Sequence, residues 1–281
     1  MRIPDTASLT IAGASTSLVI ADAITSIELS ADTGSVAQLT VTAVDPSGVI
    51  ARSGLATTGT AVTWYADPWQ VGAVSTTWGS DNTITTAFDC RSTLARRLRK
   101  QYRASAEKKV SPSAWVTRRV SAAGGRAICQ PSAVQATIAQ KSGSERQSEL
   151  DVIESLASEV DWSWVEWGGT LWFGSRHWAW GGGGGGRLWQ VNWKGDPRSD
   201  ALAADLTLDD DDTDVAASGS VTVPYDYGVK MRPWDRIRLG GFGSRNGTYL
   251  IDSVSITGDK VTPVALTVSQ PLPPAKKAGS T

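Results

Sequence analysis

The sequence predicts a mainly β fold carrying one small α/β insert, and three observations point there. Short segments rich in Val, Ile, Thr and Leu recur toward both ends of the 281 residues, separated by Asp, Gly, Pro and Ser. Only 20% of residues are charged, whereas glycine, at 28 residues, is abundant, as a chain with many tight turns requires. Between the two β-rich ends, residues 148–175 switch to the 3.6-residue period of a helix and then to a tryptophan-heavy hairpin.

Residues 6 to about 85 hold the strand-like segments SLTIAG, SLVIAD, SIELSA, AQLTVTAV, AVTWYA and TITTAF, with Asp45-Pro46-Ser47-Gly48 as one of the turns. Asp89 is placed to cap a helix over CRSTLARRLRKQY, whose Leu94, Ala95, Leu98 and Tyr102 share an apolar face. Residues 105–130 are ambiguous: WVTRRVSA fits a strand, and Gly124-Gly125 marks a turn. Pro131 suits the start of a second short helix in PSAVQATIAQ. Ser148 is a good N-cap, because its hydroxyl accepts from the free backbone N–H groups of a first turn, and Asp151 suits the positive end of that helix. Leu150, Ile153, Leu156, Ala157 and Val160 then fall on one face. Trp162, Trp164, Val165, Leu171 and Phe173 supply two strands around a Gly168-Gly169 turn, with Trp162 and Trp164 on the same side. Strand character returns at Leu188 and continues through ADLTLD, GSVTVPYD, DRIRLGG, GTYLIDSVSIT and VTPVALTVS, and Asn246-Gly247 is a hairpin signal. The tail QPLPPAKKAGST, Pro-rich and then small and polar, is expected to be disordered or a loose strap.

A net charge of −1 offers no global field for nucleic acid or an anionic membrane. No stretch reaches the roughly 18 apolar residues of a membrane span. MRIPDTASL lacks a basic-then-apolar signal pattern, so the chain is expected to stay in a cytoplasm until assembly. Cys90 and Cys129 are too few for a disulfide scaffold and read as free thiols, with a single bridge as the alternative. Catalytic constellations are sparse. The single histidine, His177, would have to serve any Ser-His-Asp or Cys-His enzyme, yet its neighbours Trp178 and Gly181–Gly186 suit a loop or packing role. No second His or Cys completes a zinc site. Glu154, Glu159 and Glu166 sit in helix and hairpin contexts that suit solvent exposure rather than glycosidase chemistry. The six glycines lack the Lys-Ser/Thr of a phosphate loop and read as a flexible connection to Leu188, tolerant of Gly-Ser exchange. No catalytic residue, cofactor or metal ligand is therefore assigned.

Thirteen tryptophans stand against five tyrosines and three phenylalanines, and eight of them lie between Trp162 and Trp193. Large rings in a small insert suit core and subunit contacts, which makes Trp162, Trp164, Trp172, Trp178, Trp180 and Trp189 the interface candidates. The alternative is a sugar-stacking platform built on Trp162, Trp164, Trp172 and Trp180. From Arg91 to Lys109, eight basic residues meet one acid, Glu107. Arg96, Arg97, Arg99, Lys100 and Arg103 read as a solvated face or a surface matched to an acidic neighbour, in preference to phosphate contacts. Asp205, Asp209 to Asp212 and Asp214 lack the Gly turn and distal Glu of a calcium loop and read as a solvated loop. Opposite clusters of this kind suit pairing between protomers.

The run SELDVIESLASEVDWSWVEWGGTLWFGS resembles the small α/β insert of phage tail hub proteins, the late control protein D and baseplate hub family, whose pattern is "ydvL..LA...gw.......gtl.fg". RPWDRIRLGGFGSRNGTYLIDSVS is similar to that family's "rpGd.v.l.g....G.ylv..V.h" hairpin, with Trp234 where the pattern often has Gly, so the turn before Asp235 is expected to differ. The match covers residues 80–193 and 205–268, while 25–75 match only as generic strands. The resemblance implies barrel-like β domains interrupted by the insert: 1–86 as a first tube portion, 87–190 as the α/β insert, 191–269 as a second β portion and 270–281 as a flexible tail. It implies a structural tail hub of a tailed bacteriophage rather than an enzyme, assembled in the host cytoplasm and resident at the virion tail tip. There a homotrimeric ring would continue the tail tube and anchor tip proteins. The implied partners are a distal tail or tail tube protein, the tape-measure protein and other tail-tip proteins, with DNA passing the lumen unbound and no membrane. A carbohydrate-binding module or receptor-binding tail component that uses the clustered tryptophans is the alternative.

Overall fold

Alternation of buried and exposed residues builds one large curled sheet from both ends of the chain. The computed structural model describes residues 9–12, 17–18, 23–45, 48, 50, 57–65, 67–80, 83–100, 105–140, 147–196, 198, 200–208, 215–258 and 261–273. The first end supplies β1 (Leu9–Ala12), β2 (Ser17–Leu18), β3 (Ile24–Asp32), β4 (Ser35–Val36), β5 (Gln38–Val44), β6 (Ala61–Trp64), β7 (Asp67–Trp78) and β8 (Ile84–Arg91). The middle holds α1 (Thr93–Lys100), β9 (Ser105–Val110), α2 (Pro112–Ala122), β10 (Arg126–Cys129), β11 (Ala136–Gln140), α3 (Glu149–Glu159), β12 (Ser163–Trp167), β13 (Thr170–Gly174) and α4 (Arg176–Trp180). The second end supplies β14 (Leu188–Asn192), β15 (Ala203–Leu208), β16 (Val215–Val223), α5 (Tyr225–Gly228), β17 (Arg236–Gly240), β18 (Gly247–Thr257) and β19 (Val264–Pro271).

Among the described residues thirteen strands join in one sheet, in the order β15-β16-β19-β18-β3-β5-β8-β7-β6-β1-β2, with β17 on β18 and β14 on β17. The sheet curls into a half-barrel. The strands from the two ends of the chain meet where β18 pairs antiparallel with β3, Val254 opposite Ala31 and Ile256 opposite Leu29. Period-two burial makes this work: in β5 Leu39, Val41 and Ala43 face in while their neighbours face out. The inward residues of both ends merge into one apolar cluster that includes Ile27, Val41, Phe88, Val221, Ile251 and Leu266. The middle segment has its own core, with Leu98, Trp115, Val116, Ile153, Leu156, Trp164, Leu171 and Phe173 packed together. Its hairpin also joins the first end directly, because β12 runs parallel to β4 with Val165 opposite Ser35.

Local signals fix most of the middle segment. Ser148 and Asp151 form a reciprocal cap on α3, and Leu150, Ile153, Leu156 and Ala157 are buried below it. Gly168 and Gly169, at φ 57° and 87°, make the two-residue turn between β12 and β13, a conformation that favours glycine. Other expectations need correction. Asp89 is not a helix cap: β8 stays extended through Arg91, paired to both β5 and β7, and Asp89 accepts from Gln38 Nε2 and Thr40 Oγ1. Ser92 caps α1 instead, its hydroxyl accepting from Ala95 N–H. Leu94, Ala95 and Leu98 do form the buried face, and Tyr102 lies outside the described residues. WVTRRVSA is helical within α2, because Ser111 caps it and Pro112 occupies its first turn. Residues 131–135 are irregular, and 136–140 pair with β9 as a strand rather than continuing a helix from Pro131.

Strand β7 was not expected, since Pro68 and Gly72 punctuate it. Pro68 sits at its start, and Gly72 marks the bulge between Val71 and Ala73 where the register with β8 shifts. The hairpin between β17 and β18 turns through a 3-10 turn at Gly243–Arg245 rather than at Asn246-Gly247. Asn246 closes the loop by its side chain, which accepts from Phe242 N–H. Trp234 takes φ 72°, the left-handed region that a glycine at this place in the family pattern enters freely, so the chain bears that conformation on a buried tryptophan. The acidic run 209–214 and the tail from 274 onward lie outside the described residues.

Candidate functional site

The six interface-candidate tryptophans all make contacts within the chain. Trp164 is buried in the core of the middle segment, and Trp162 packs edge-on against Phe173 with ring centres 5.4 Å apart. Trp172 donates its indole N–H to Gly184 O, Trp180 to Thr248 O, and Trp189 to the Asp235 carboxylate. Trp178 meets Trp234 edge to face at 6.3 Å. Trp164 and Trp162 thus line one core, while Trp172, Trp178 and Trp180 gather round Val165, Ala179, Trp234 and Leu250 as a seam between the insert and β18. They do not share one open face on which sugar rings would stack. The tryptophan that stands free is Trp78, 71% exposed at the end of β7, which no sequence pattern singled out.

The six glycines are part of this seam. The expectation of a loose loop is overturned: Gly181, Gly182 and Gly183 donate to His177 O, Ala179 O and Trp178 O, which continues the turn of α4. A side chain at Gly183 would overlap the Trp178 indole, and one at Gly186 would overlap Trp234 O. Glycine is needed there for close approach, so exchange for serine is not neutral. His177 packs on Trp180 and its Nδ1 lies 3.2 Å from Pro271 O, which places it as a packing residue between α4 and the end of β19.

Desolvation raises the pKa of three carboxylates, Glu166, Asp235 and Asp252. Glu166, expected in solvent, is 0% exposed: Ser92 Oγ and Gly169 N–H both donate to its Oε1, and Oε2 has no partner. Burial pushes its pKa up to about 7 against those two hydrogen bonds. Asp235 accepts from Arg187 N–H, Trp189 Nε1–H and Arg232 N–H, and burial raises its pKa while these donors oppose the rise. It fastens the turn after Trp234 to β14. Asp252 is raised by burial and opposed by Arg176, whose guanidinium also bonds Ser269 Oγ. Cys90 and Cys129 are separate free thiols, and burial drives Cys90 up to about 12, far from thiolate chemistry. Among the described residues no three His, Cys, Asp or Glu side chains gather as a metal would need. No helix is long and apolar enough to cross a membrane.

One surface feature stands out from this packed interior. Arg91, Arg96, Arg99 and Lys100, from the end of β8 and from α1, line a cleft of about 350 Å³ with Thr58 and the bulged Gly72. Asp89 is the acid on its wall and is already engaged by Gln38 and Thr40. Arg96 donates to Gln70, whereas Arg91, Arg99 and Lys100 make no hydrogen bond or ion pair among the described residues. Burial and the neighbouring Arg99 lower the Arg91 pKa, while the Asp89 carboxylate opposes the shift. Nearby, Arg97 donates to Ala123 O, and Arg118 and Arg119 bond Glu107.

No protein-family model matches the chain, and no curated protein matches its sequence. Solved structures do. The 43 kDa tail protein of prophage MuSo2 from Shewanella oneidensis superposes with a TM-score of 0.64 at 10% identity, over 95% of this chain and 98% of that one. A tail protein from Neisseria meningitidis gives 0.62 at 10% identity, over 94% and 96%. The E. coli c3393 protein, a component of the type VI secretion system with structural similarity to T4 bacteriophage tail proteins gp27 and gp5, gives 0.62 at 11% identity, over 95% and 77%. The fold is that of phage tail proteins.

Proposed function

We propose that the chain is a structural hub protein at the tail tip of a tailed bacteriophage, three copies of which close a ring that continues the tail tube. The observation that carries this reading is the extent of the likeness. A tail protein matches nearly end to end, so the curled sheet, the insert and the order in which they are joined are shared together. A half-barrel that joins both chain ends in one sheet gives each copy a curved wall, and rotation of such walls about an axis makes a tube. In this reading residues 1–86 and 191–269 form the tube wall, 87–190 are the insert, and 270–281 are the C-terminal tail. The half-buried rims of Trp162, Trp172, Trp178, Trp180 and Trp189 face adjoining subunits, while Trp164 holds the insert core. Distal tail, tail tube and tape-measure proteins are the neighbours, assembled in the host cytoplasm, with DNA passing unbound. The burial of these indoles in protein contacts speaks against a sugar platform and for structure over chemistry. Cryo-electron microscopy of the assembled particle tests the reading: a threefold ring at the tail tip is expected, and a lone copy or a position away from the tail overturns it.

A further inference from the structure

Strand β7 is longer than the strand beside it. β6 covers only its first part, pairing Ala61–Trp64 with Asp67–Gln70. Val71 N–H then donates to Thr60 O and Val71 O accepts from Gly59 N–H, after which no strand lies against that side of β7. β8 holds the other side as far as Trp78, opposite Ile84. The hairpin shows which backbone groups face the open side. Gly79 N–H donates to Thr83 O, so Gly79 points toward the β8 strand. Alternation turns Ser75 and Thr77 the same way, and it turns the N–H and C=O of Val74, Thr76 and Trp78 outward. Among the described residues, none of those three makes a backbone hydrogen bond on the open side.

This edge starts at the basic cleft, because Gly72 and Ala73 line it together with Arg91, Arg99 and Lys100. The two faces beside the edge differ. Ala73, Ser75 and Thr77 are exposed on the side of Asp89, which stands opposite Ala73. On the other side Val74 packs against the core of the sheet, and Trp78, 71% exposed, stands at the far end. A strand laid here meets cations at one end, small side chains on one face and apolar ones on the other.

We infer that the open edge of β7 takes up an extended segment of another protein by strand addition. That segment carries carboxylates at the end lying in the cleft and apolar residues at the alternate positions that face Val74 and Trp78. The inference goes beyond the hub reading and does not depend on it. A free edge in a native sheet is a template for pairing, and its backbone supplies the affinity while flanking side chains select the partner. Charge selects acids here, since Arg91, Arg99 and Lys100 make no hydrogen bond or ion pair among the described residues. The edge itself selects a peptide over a nucleic acid. It presents donors and acceptors in alternation, whereas a phosphate backbone offers acceptors alone and leaves the outward carbonyls unmet. A second copy fits less well: β2, β14 and β15, at the margins of the same sheet, carry one acid among them, Asp205, in the middle of its strand.

The test uses the full-length chain and fluorescein-labelled peptides, read by fluorescence anisotropy. The probe is Thr-Val-Thr-Val-Thr-Val joined to Asp-Glu-Asp, made with the acids at either end because a strand adds in either direction. One of the two is expected to bind and to protect the Val74, Thr76 and Trp78 amides from hydrogen exchange. No binding, or protection elsewhere, overturns the proposal. The same peptide N-methylated through its Thr-Val part keeps its charge and loses its donors, and it is expected to bind roughly 10-fold more weakly. Equal binding by that peptide overturns strand addition. Thr76→Pro removes one outward N–H and no bond to β8, and it is expected to weaken binding by roughly 10-fold with an unchanged melting temperature. Should that variant fail to fold, the N-methylated peptide on the unsubstituted chain decides the same point. Arg99→Glu together with Lys100→Glu is expected to weaken binding by roughly 10-fold, and unchanged binding overturns the acidic partner. Displacement of the peptide by a tighter-binding oligothymidylate assigns the cleft to nucleic acid and overturns the proposal. Sedimentation of the chain alone closes the test: self-association that Thr76→Pro abolishes puts a second copy on the edge and overturns it as well.

Discussion

Glu166 joins the turn of the insert hairpin to the cap of α1, since one of its oxygens accepts from both Gly169 N–H and Ser92 Oγ while the other is buried without a partner. An ionised carboxylate in that position is costly, and the group is held protonated up to about pH 7. The sign follows from proton counting. Between about pH 4.5 and 7 the unfolded chain has released this proton and the folded chain has kept it. The folded state therefore binds more protons in that window, and this residue's contribution to stability falls as pH rises through it. Full ionisation above the window costs about 3 kcal/mol. Glu166→Gln keeps an acceptor for Ser92 and Gly169 and removes the titration. The stability of the Gln variant relative to wild type is expected to rise by about 3 kcal/mol from the acidic to the alkaline side of the window. Urea unfolding at stepped pH measures it, and two parallel pH curves would contradict the assignment.

Among the elements, the glycine run after α4 has a function that its composition conceals. Gly183 lies under the Trp178 indole, while Gly185, at φ 67°, faces open space. Gly183→Ala is expected to cost about 1–3 kcal/mol by overpacking. Gly185→Ala is expected to cost about 1 kcal/mol, from its left-handed backbone alone. Thermal melts of the two variants rank them, and equal losses would show that the close approach is not what selects glycine. Here the limits of sequence reading become physical. The cap and face of α3 were legible because Ser148, Asp151, Leu156 and their neighbours interact within two turns of one another. The Asp89 cap was misread because β5 and β7 bind that residue's strand from sequence positions far away, and Ser92 offers an equally good hydroxyl three residues on. Pro112 was the overlooked signal of α2, a proline where a helix tolerates one. The burial of Glu166 was illegible for the same reason as Asp89: on a hairpin its neighbours alternate, and only the approach of Ser92 and Ala37 covers it. The basic cluster was visible as a run, but its cleft needs Thr58 and Gly72, which sheet pairing brings in from upstream.

At the scale of the whole molecule, two separate cores must be held in fixed relation if the chain is to serve as one wall of a ring. A single joint ties all three portions together. Asp67 of β7 accepts from Trp167 Nε1–H of the insert at 3.1 Å and from Arg232 of the second end at 3.0 Å. The Arg232 guanidinium also lies over the Trp167 ring, 4.2 Å from its centre, and donates to Val229 O and Met231 O. Burial lowers the Arg232 pKa while Asp67 and Asp235 raise it, so the cation is retained by its carboxylate neighbours. The pair is neither fully exposed, where it would contribute about 0–1 kcal/mol, nor fully buried, where breaking it would cost about 3–5 kcal/mol. Asp67→Ala is expected to cost about 2 kcal/mol, since it strands both the Trp167 N–H and the Arg232 charge. In a chain that already lacks Asp67, Arg232→Ala should cost clearly less than it does alone, because its counter-charge is gone. A double-mutant cycle by urea unfolding, followed through tryptophan fluorescence, measures this coupling. Strictly additive losses would mean that Asp67 and Arg232 act separately.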